Sequence, residues 1–147
     1  MSQLPRPALV LDTNVVLDWL LFGDPSVAPL AVAISQRQVR WIATVAMRDE
    51  LAEVLWRGLA AQRDADAAAL LAAWDARAEM LAEPARLPAS VPLCCSDPDD
   101  QKFLNLAHAA GAAWLLSRDR AVLRLARRAA RFGIDISVPE RWAHGAQ

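Results

Sequence analysis

Residues 7–12, PALVLD, form a short and continuous apolar run that stops at an acid. An apolar run of this length without polar alternation is typical of a strand buried on both faces of a parallel sheet. Three later segments are also predicted to be short strands: VRWIAT at 39–44, AAWLLS at 112–117 and IDISVP at 134–139. Helical patterns separate them, and this alternation predicts an α/β domain whose parallel sheet is covered by helices on both faces.

Helical periodicity occupies six segments of the chain. They are residues 13–23, 24–38, 44–61, 63–81, 97–111 and the arginine-rich 118–133. Residues 82–93, AEPARLPASVPL, hold three prolines and are predicted to form a loop. Because 147 residues can bury a core in one unit and no linker or repeat divides them, we predict a single domain over residues 1–147.

Composition and cysteine usage exclude several classes of protein. No apolar run approaches the roughly 20 residues that cross a bilayer, and the start of the chain lacks the apolar core of a secretory signal. We therefore expect a cytoplasmic protein without membrane contact. The adjacent Cys94 and Cys95 are expected to be reduced, packed thiols, since they have no other cysteine partner and no histidine nearby in sequence. His108 and His144 offer no pair for a histidine-based nuclease mechanism.

Two acids follow predicted strands directly. Asp12 ends the first strand, and Asp119 follows the third strand after Ser117 and Arg118. In parallel sheets, sites form outside the carboxyl ends of the strands. We therefore expect Asp12 and Asp119 to lie at the same edge of the sheet, although they are far apart in sequence.

The stretch SDPDD at 96–100 places three acids before a helix. Asp97 is explained as an N-cap, and the helix dipole favours an acid at Asp99. Asp100 differs, because at roughly 100° per residue it falls in line with the apolar stripe that must face the sheet. That stripe consists of Phe103, Leu104 and Ala107. A carboxylate on a buried stripe needs a partner, because leaving it unpaired is costly.

A fourth acid comes from the helix over residues 44–61. Its apolar face centres on Met47, Leu51, Val54 and Leu55, and Glu50 lies at the edge of that face. Four converging carboxylates repel one another and require a cation or protons. Ligation by oxygen alone selects Mg²⁺ or Mn²⁺ over zinc. Such a site suits metal-assisted attack of water on a phosphodiester.

Four stretches in order resemble the PIN-domain nucleases, and in particular the prokaryotic (VapC-like) branch of toxins from toxin–antitoxin pairs. The stretches are LVLDTNVVL, RDELAEVL, DPDDQKFLNLAHAAGA and LLSRDRAVL. The resemblance implies a three-layer α/β/α sandwich with a mostly parallel central sheet. It also implies an endoribonuclease that cuts single-stranded RNA with Mg²⁺ or Mn²⁺, a cognate antitoxin protein as partner, and a homodimer.

Carried over position by position, the resemblance implies a set of catalytic acids and supporting residues. The catalytic acids are Asp12, Glu50, Asp100 and Asp119, of which Asp12, Asp100 and Asp119 are the expected metal ligands. Asn14 and Ser117 match polar positions that hold these carboxylates, and Asp97 matches an additional acid. The fourth motif departs from the family pattern at Ser117, where threonine is usual, and at Arg118, where glycine is frequent. Serine keeps the hydroxyl, and Arg118 either narrows the site or reaches for a phosphate.

Positive charge is concentrated in the arginine-rich segment of residues 118–133. Arginines recur at helical spacing in residues 118–133, and they are either a solvated face or a strip that contacts RNA phosphates. Together with Arg118, the candidate contacts are Arg120, Arg124 and Arg127, with Arg128 and Arg131 on the same stripe.

One alternative function is a non-catalytic PIN-like module that binds RNA or a partner. The other is a haloacid-dehalogenase-type phosphatase. That chemistry needs a second acid two residues after Asp12, and the residue at that position is Asn14.

Overall fold

The computed structural model describes residues 6–142, and within them the central element is a five-stranded parallel sheet. The strands are β1 (Ala8–Leu11), β2 (Arg40–Ala43), β3 (Glu79–Met80), β4 (Trp114–Leu116) and β5 (Asp135–Ser137). Their order in the sheet is β3-β2-β1-β4-β5, and every neighbouring pair is parallel. All four residues of β1 are buried, as expected for a central strand covered on both faces. The predicted α/β fold with a parallel sheet is confirmed.

Helices connect the strands throughout the described chain. They are α1 (Thr13–Leu20), α2 (Ala28–Ser35), α3 (Val45–Val54), α4 (Ala60–Gln62), α5 (Ala67–Arg77), α6 (Gln101–Ala109), α7 (Arg120–Leu123) and α8 (Ala126–Ala130). Short 3₁₀ turns precede α2 and α6, at Pro25–Val27 and Pro98–Asp100. The apolar stripe predicted for α6 is buried, because Phe103, Leu104 and Ala107 are each 0% exposed.

Three predicted helices differ from the structure. The segment 63–81 ends as helix at Arg77, and Glu79–Met80 instead pair with Ile42 and Ala43 as edge strand β3. The segment 44–61 contains a π-helical turn at Leu55–Leu59, where Gly58 has φ 137°. The arginine-rich segment is divided into α7 and α8, so its arginines do not form one continuous helical stripe.

Tryptophans fill much of the core beside β2. The Trp41 ring lies edge-on to Trp74 at 4.7 Å and to Trp19 at 5.2 Å between centroids. Trp56, on the π-helical turn, is 67% exposed and lies outside the core. Of the two cysteines, Cys95 is buried and Cys94 is exposed, so the expectation of two packed thiols is wrong for Cys94; both are free thiols.

The strand order determines where a site can form. The chain runs from β1 to β2 and β3 on one side, and then returns to place β4 against the other side of β1. The crevice outside the carboxyl ends of β1 and β4 is therefore the topological switch point, the usual location of sites in such sheets. Asp12 and Ser117 follow these two strands directly.

Among residues 6–142, no single helix is long and apolar enough to span a membrane. The segments Thr13–Leu20 and Pro25–Ser35 meet the length and hydropathy requirement only as a pair, with a bend of 106° between them.

Candidate metal centre

Asp12 lies at the centre of the switch point. Its side chain is almost completely buried, with 3% of the residue exposed, and it caps the N-terminus of α1. One carboxylate oxygen, Oδ1, accepts a hydrogen bond from the Asn14 backbone N–H at 3.3 Å, and Oδ2 accepts one from the Ser117 hydroxyl at 2.6 Å. Burial raises the pKa of Asp12, the two hydrogen bonds lower it, and the nearby charges of Glu50 and Asp119 raise it further.

Ser117 links the first and fourth acids of the predicted set. Its hydroxyl donates to Asp12 and accepts a hydrogen bond from the backbone N–H of Asp119 at 3.0 Å. Asp119 in turn caps α7, since its Oδ1 accepts from the Ala121 N–H at 2.8 Å. Parallel pairing of β1 with β4, with Leu11 opposite Leu116, sets the register that makes these contacts. The backbone register therefore brings Asp12 and Asp119 together, as the sequence predicts.

Asp100 is a buried acid whose carboxylate is only partly satisfied by hydrogen bonds. It is 8% exposed, and its Oδ2 is buried without a hydrogen-bond partner among the described residues. Burial, a hydrogen bond with Asp119 and the charges of Asp12, Asp119 and Asp97 raise the pKa of Asp100 to about 7. The neighbouring Asp99 is exposed, which agrees with the helical-wheel argument that Asp100 faces inward.

Three carboxylates approach closely enough to share one cation. Asp97, Asp100 and Asp119 each present an oxygen within 4.8 Å of the other two. Asp97 also caps the following turn, because its Oδ1 accepts from the Asp99 N–H at 3.0 Å. Asp97, which the sequence suggested only as an additional acid, thus lies in this closest group, and Asp12 lies one hydrogen-bonded serine away from it.

Glu50 lies beside this group but is held by other partners. Its Oε1 accepts a hydrogen bond from the Thr13 hydroxyl at 2.5 Å, and its Oε2 forms an ion pair with Lys102. The Lys102 ammonium also donates to the Asp99 carbonyl. Because the charge of Glu50 contributes to raising the pKa of Asp12, it belongs to the same electrostatic cluster.

Arg118 is held by three side chains of the protein. Its guanidinium donates to Asp18 at 2.6 Å, to Ser26 at 2.8 Å and to Glu140 at 3.0 Å, using Nε and both Nη atoms. These contacts join α1, the turn before α2 and the segment after β5. The guanidinium of Arg118 is thus already bound by two carboxylates and a hydroxyl, and its contact with an RNA phosphate stays a prediction.

The other predicted residues divide into contacting and exposed ones. The side chain of Asn14 is exposed, and it is the backbone N–H of this residue that supports Asp12. Arg120, Arg124 and Arg127 are exposed on α7, α8 and the turn between them, and within residues 6–142 none of them forms an ion pair. The ring centroids of His108 and Phe132 lie 5.8 Å apart. His144 lies outside the described residues.

Sequence reasoning missed Thr13 and Lys102. Thr13 is 7% exposed, and a hydroxyl at the first position of α1, directly after the N-cap Asp12, is well placed to reach a neighbouring acid. Lys102 is the only lysine of the chain and lies three residues after Asp99 and two after Asp100. The presence of only one lysine, beside a group of acids, was the sequence signal that Lys102 has a specific partner.

The residues fit a hard divalent cation. All donors are carboxylate or hydroxyl oxygens, which Mg²⁺ and Mn²⁺ prefer. The Oδ2 atom of Asp100 is buried without a partner among the described residues. Ionisation of this carboxyl among other acids is therefore costly unless a cation binds nearby. Asp12, Asp97 and Asp119 also cap N-termini of helical segments, and the side chain of each accepts a hydrogen bond from a backbone N–H there.

Comparisons with known proteins agree with this architecture. A family model described as "PIN domain" matches residues 8–121, which include all five acids of the cluster. Among solved structures, the crystal structure of VapBC2 from Rickettsia felis, bound to a DNA fragment from its promoter, superposes with a TM-score of 0.60 at 12% sequence identity. The superposition covers 88% of this chain and 96% of that one, and it shows similarity of fold. No curated protein matches the sequence significantly.

Proposed function

The chain belongs to the PIN-domain family, and from that premise we propose that it is an endoribonuclease that cleaves single-stranded RNA with the help of Mg²⁺ or Mn²⁺. We further propose that it is the toxin of a type II toxin–antitoxin pair and acts as a single domain in the cytoplasm. The observation that carries the nuclease proposal is the buried Asp100 carboxyl, which has an unpartnered oxygen and lies among three other acids.

The acids have separate roles in this proposal. Asp12, Asp100 and Asp119, with Asp97 beside them, would hold the divalent ion or ions. A bound ion would supply a lowered pKa for water and charge compensation on the phosphate oxygens. Ser117 holds Asp12 and Asp119 in position through its hydroxyl. Glu50, fixed by Thr13 and Lys102, would orient the attacking water from the side of the cluster.

The exposed arginines of α7 and α8 would bind the RNA backbone. Arg120 follows Asp119 directly, so its position along the chain brings positive charge next to the acids. Arg124 and Arg127 extend this charge away from the cluster. Contacts of this kind bind phosphates without reading bases, and they weaken as salt concentration rises.

The proposed antitoxin partner and homodimer rest on fold likeness and on exposed apolar side chains. The similar structure is that of VapBC2 bound to a DNA fragment from its promoter. In this chain, Trp56 is 67% exposed, Val45 is 59% exposed and Phe22 is 42% exposed. A contiguous patch of such side chains would be a surface that a partner covers.

The test is cleavage of a mixed pool of single-stranded RNA by the purified protein with Mg²⁺, Mn²⁺ or a chelator. Asp12→Asn and Asp100→Asn are the test variants, and Asp99→Asn is the matched control because Asp99 is exposed beside the site. We expect metal-dependent fragments from the wild type and from Asp99→Asn, and none from the other two variants. Fragments that form in the chelator and are equal in all four proteins would show contamination. RNA binding without cleavage under any ion would support the non-catalytic alternative.

A further inference from the structure

A polar cavity lies at the opposite ends of the strands from the acids. It has a volume of about 360 Å³, and its walls include Arg6, Arg37, Arg40, Arg77 and Glu79. Arg40 and Glu79 are the first residues of β2 and β3, whereas Asp12 and Ser117 follow the last residues of β1 and β4. A four-residue strand spans about 13 Å, so the cavity and the acid cluster are separate sites at the two ends of the strands.

The cavity concentrates positive charge in a chain whose net charge is −1. Four guanidinium groups and one carboxylate line it, which leaves an excess of three positive charges. The carboxylate of Glu79 is already paired with Arg40, whose Nε donates to Oε1 at 3.1 Å. Arg37 and Arg77 are exposed, and neither guanidinium has a hydrogen-bond or ion-pair partner within residues 6–142.

Helix dipoles account for only part of this charge. Arg77 ends α5 and Arg37 follows the end of α2, where a positive side chain is favourable. Each helix end carries about half an elementary charge, so the two ends together offset about one of the three excess charges. The remaining charges repel one another at a shared cavity, and binding of an anion would relieve this repulsion.

Arg37 occupies a backbone conformation that favours glycine. Its φ is 58°, and it closes α2 with the Arg37 N–H bonded to the Ile34 carbonyl and the Gln38 N–H bonded to the Ala33 carbonyl. The end of α6 has the same arrangement, with Gly111 at φ 63° in the equivalent position. A side chain in this region costs stability relative to glycine. At the mouth of the cavity the chain therefore carries a guanidinium where its own α6 carries glycine.

The dimensions and chemistry of the cavity indicate the class of ligand. The planar fork of arginine matches the oxygens of phosphate, often in bidentate contacts. The volume lies near the lower end of the range of about 300–1,000 Å³ for small-molecule pockets, and the apolar residues Ile34, Val39 and Trp41 form part of the wall. We propose that this cavity binds a phosphomonoester, either of a free nucleotide or of an RNA terminus, independently of the acid cluster.

The experiment is calorimetric titration of the full-length protein in metal-free, low-salt buffer. The probes are 5′-AMP, adenosine, inorganic phosphate, and a short 2′-O-methyl RNA with and without a 5′-phosphate. Arg37→Gly and Arg77→Gln remove one free guanidinium each, and Arg37→Gly at the same time relieves the backbone strain. Arg57→Gln is the matched control, because Arg57 is an exposed arginine that pairs with Glu53 away from the cavity.

We expect the wild type to bind 5′-AMP and not adenosine, and both cavity variants to bind 5′-AMP about tenfold more weakly or worse, as for loss of a charge-assisted hydrogen bond. Arg37→Gly is expected to melt no lower than the wild type, which separates lost binding from lost folding. An RNA that binds much more tightly with its 5′-phosphate than without it identifies an RNA terminus as the ligand, and equal affinity of the two RNAs identifies a free nucleotide. The proposal is overturned by equal binding of 5′-AMP and adenosine, or by an effect of Arg57→Gln equal to that of the cavity variants.

Discussion

Lys102 and Glu50 form an ion pair at the edge of the acid cluster, and Lys102 is the only lysine in the chain. Both side chains are partly buried, with 21% of Lys102 and 29% of Glu50 exposed. The pair adds a positive charge to a group of carboxylates that otherwise repel one another. Glu50 is thereby neutralised and fixed by the protein itself, whereas Asp100 keeps a buried oxygen without a partner. Asp100 therefore needs an external cation more than Glu50 does.

Removal of this built-in cation is expected to strengthen metal binding. In Lys102→Met, the acid cluster becomes more negative by one charge, and Glu50 is free to approach a bound ion. A partly screened charge of this kind is worth about 1 kcal/mol, so we expect Mn²⁺ to bind about fivefold more tightly in a calorimetric titration. Lys102→Arg, which keeps the charge, serves as the control and should bind Mn²⁺ as the wild type does. Weaker Mn²⁺ binding by Lys102→Met would mean that the lysine supports the metal site rather than competing with the metal.

Ser117 is expected to be important for both stability and cleavage. Its buried hydroxyl holds Asp12 and the Asp119 backbone, so Ser117→Ala leaves both groups without that partner. Loss of such a buried hydrogen bond costs about 1–3 kcal/mol in the free energy of unfolding, which urea denaturation can measure. Because the hydrogen bond from Ser117 lowers the pKa of Asp12, its loss also favours protonated Asp12 and should weaken metal binding at neutral pH. Ser90→Ala, on the exposed loop, should change neither property, and equal effects of the two substitutions would contradict the role of Ser117.

The metal-free protein is expected to lose stability as pH rises from about 4 to about 7. Folding raises the pKa of Asp100 from 3.8 to about 7, mainly through burial, and the pKa of Asp12 is raised in the same direction. Between the unfolded and folded pKa values the native state binds more protons than the unfolded state, so the free energy of unfolding falls with increasing pH. The loss ends once pH has passed the folded pKa of Asp100.

Thermal melting between pH 4 and pH 8 tests this relation. Asp100→Asn should flatten the pH dependence and raise the melting temperature of the metal-free protein at pH 8, because it removes a buried like charge. Mg²⁺ in excess should also flatten the curve of the wild type, since an ion that binds the ionised acids stabilises the native state. The prediction fails if metal-free wild type and Asp100→Asn lose stability in parallel over this pH range.

The sequence was most informative where periodicity and strand order coincide. An apolar run that stops at Asp12 predicts a central strand, and the helical spacing of Asp100 with Phe103, Leu104 and Ala107 predicts its inward orientation. Both follow from local patterns, because burial at 3.6-residue spacing and buried parallel strands have simple signatures. The placement of Asp12 and Asp119 at one edge needed only the rule for parallel sheets.

Other features depend on contacts between residues far apart in sequence. Glu79 and Met80 continue an alanine-rich helical pattern, and they become strand only because β2 offers an open edge for pairing. Arg118 looks like a phosphate ligand beside the acids, yet Asp18, Ser26 and Glu140 surround it after folding. The pairing of Lys102 with Glu50 bridges two helices in the same way. No local pattern encodes such partners, because the chain specifies them only through its tertiary structure.

Arg118 and Arg120 should respond to substitution in opposite ways. Arg118→Gln breaks contacts with Asp18 and Glu140 that join three segments, so we expect it to lower the free energy of unfolding by about 1–3 kcal/mol. Arg120 is exposed and forms no ion pair within residues 6–142, so Arg120→Gln should leave stability within about 0.5 kcal/mol of the wild type.

RNA binding should show the reverse pattern for the same two variants. If Arg120 neutralises one phosphate, Arg120→Gln reduces the slope of log affinity against log salt concentration by about 0.7, the value for one contact on a single strand. Arg118→Gln should keep the wild-type slope at temperatures where it remains folded. Fluorescence anisotropy of a labelled single-stranded RNA, in metal-free buffer and across a salt series, gives both slopes. An unchanged slope for Arg120→Gln together with a reduced slope for Arg118→Gln would show that the guanidinium beside Asp18 binds RNA after all. The exposed arginines of α7 and α8 would then be a solvated face.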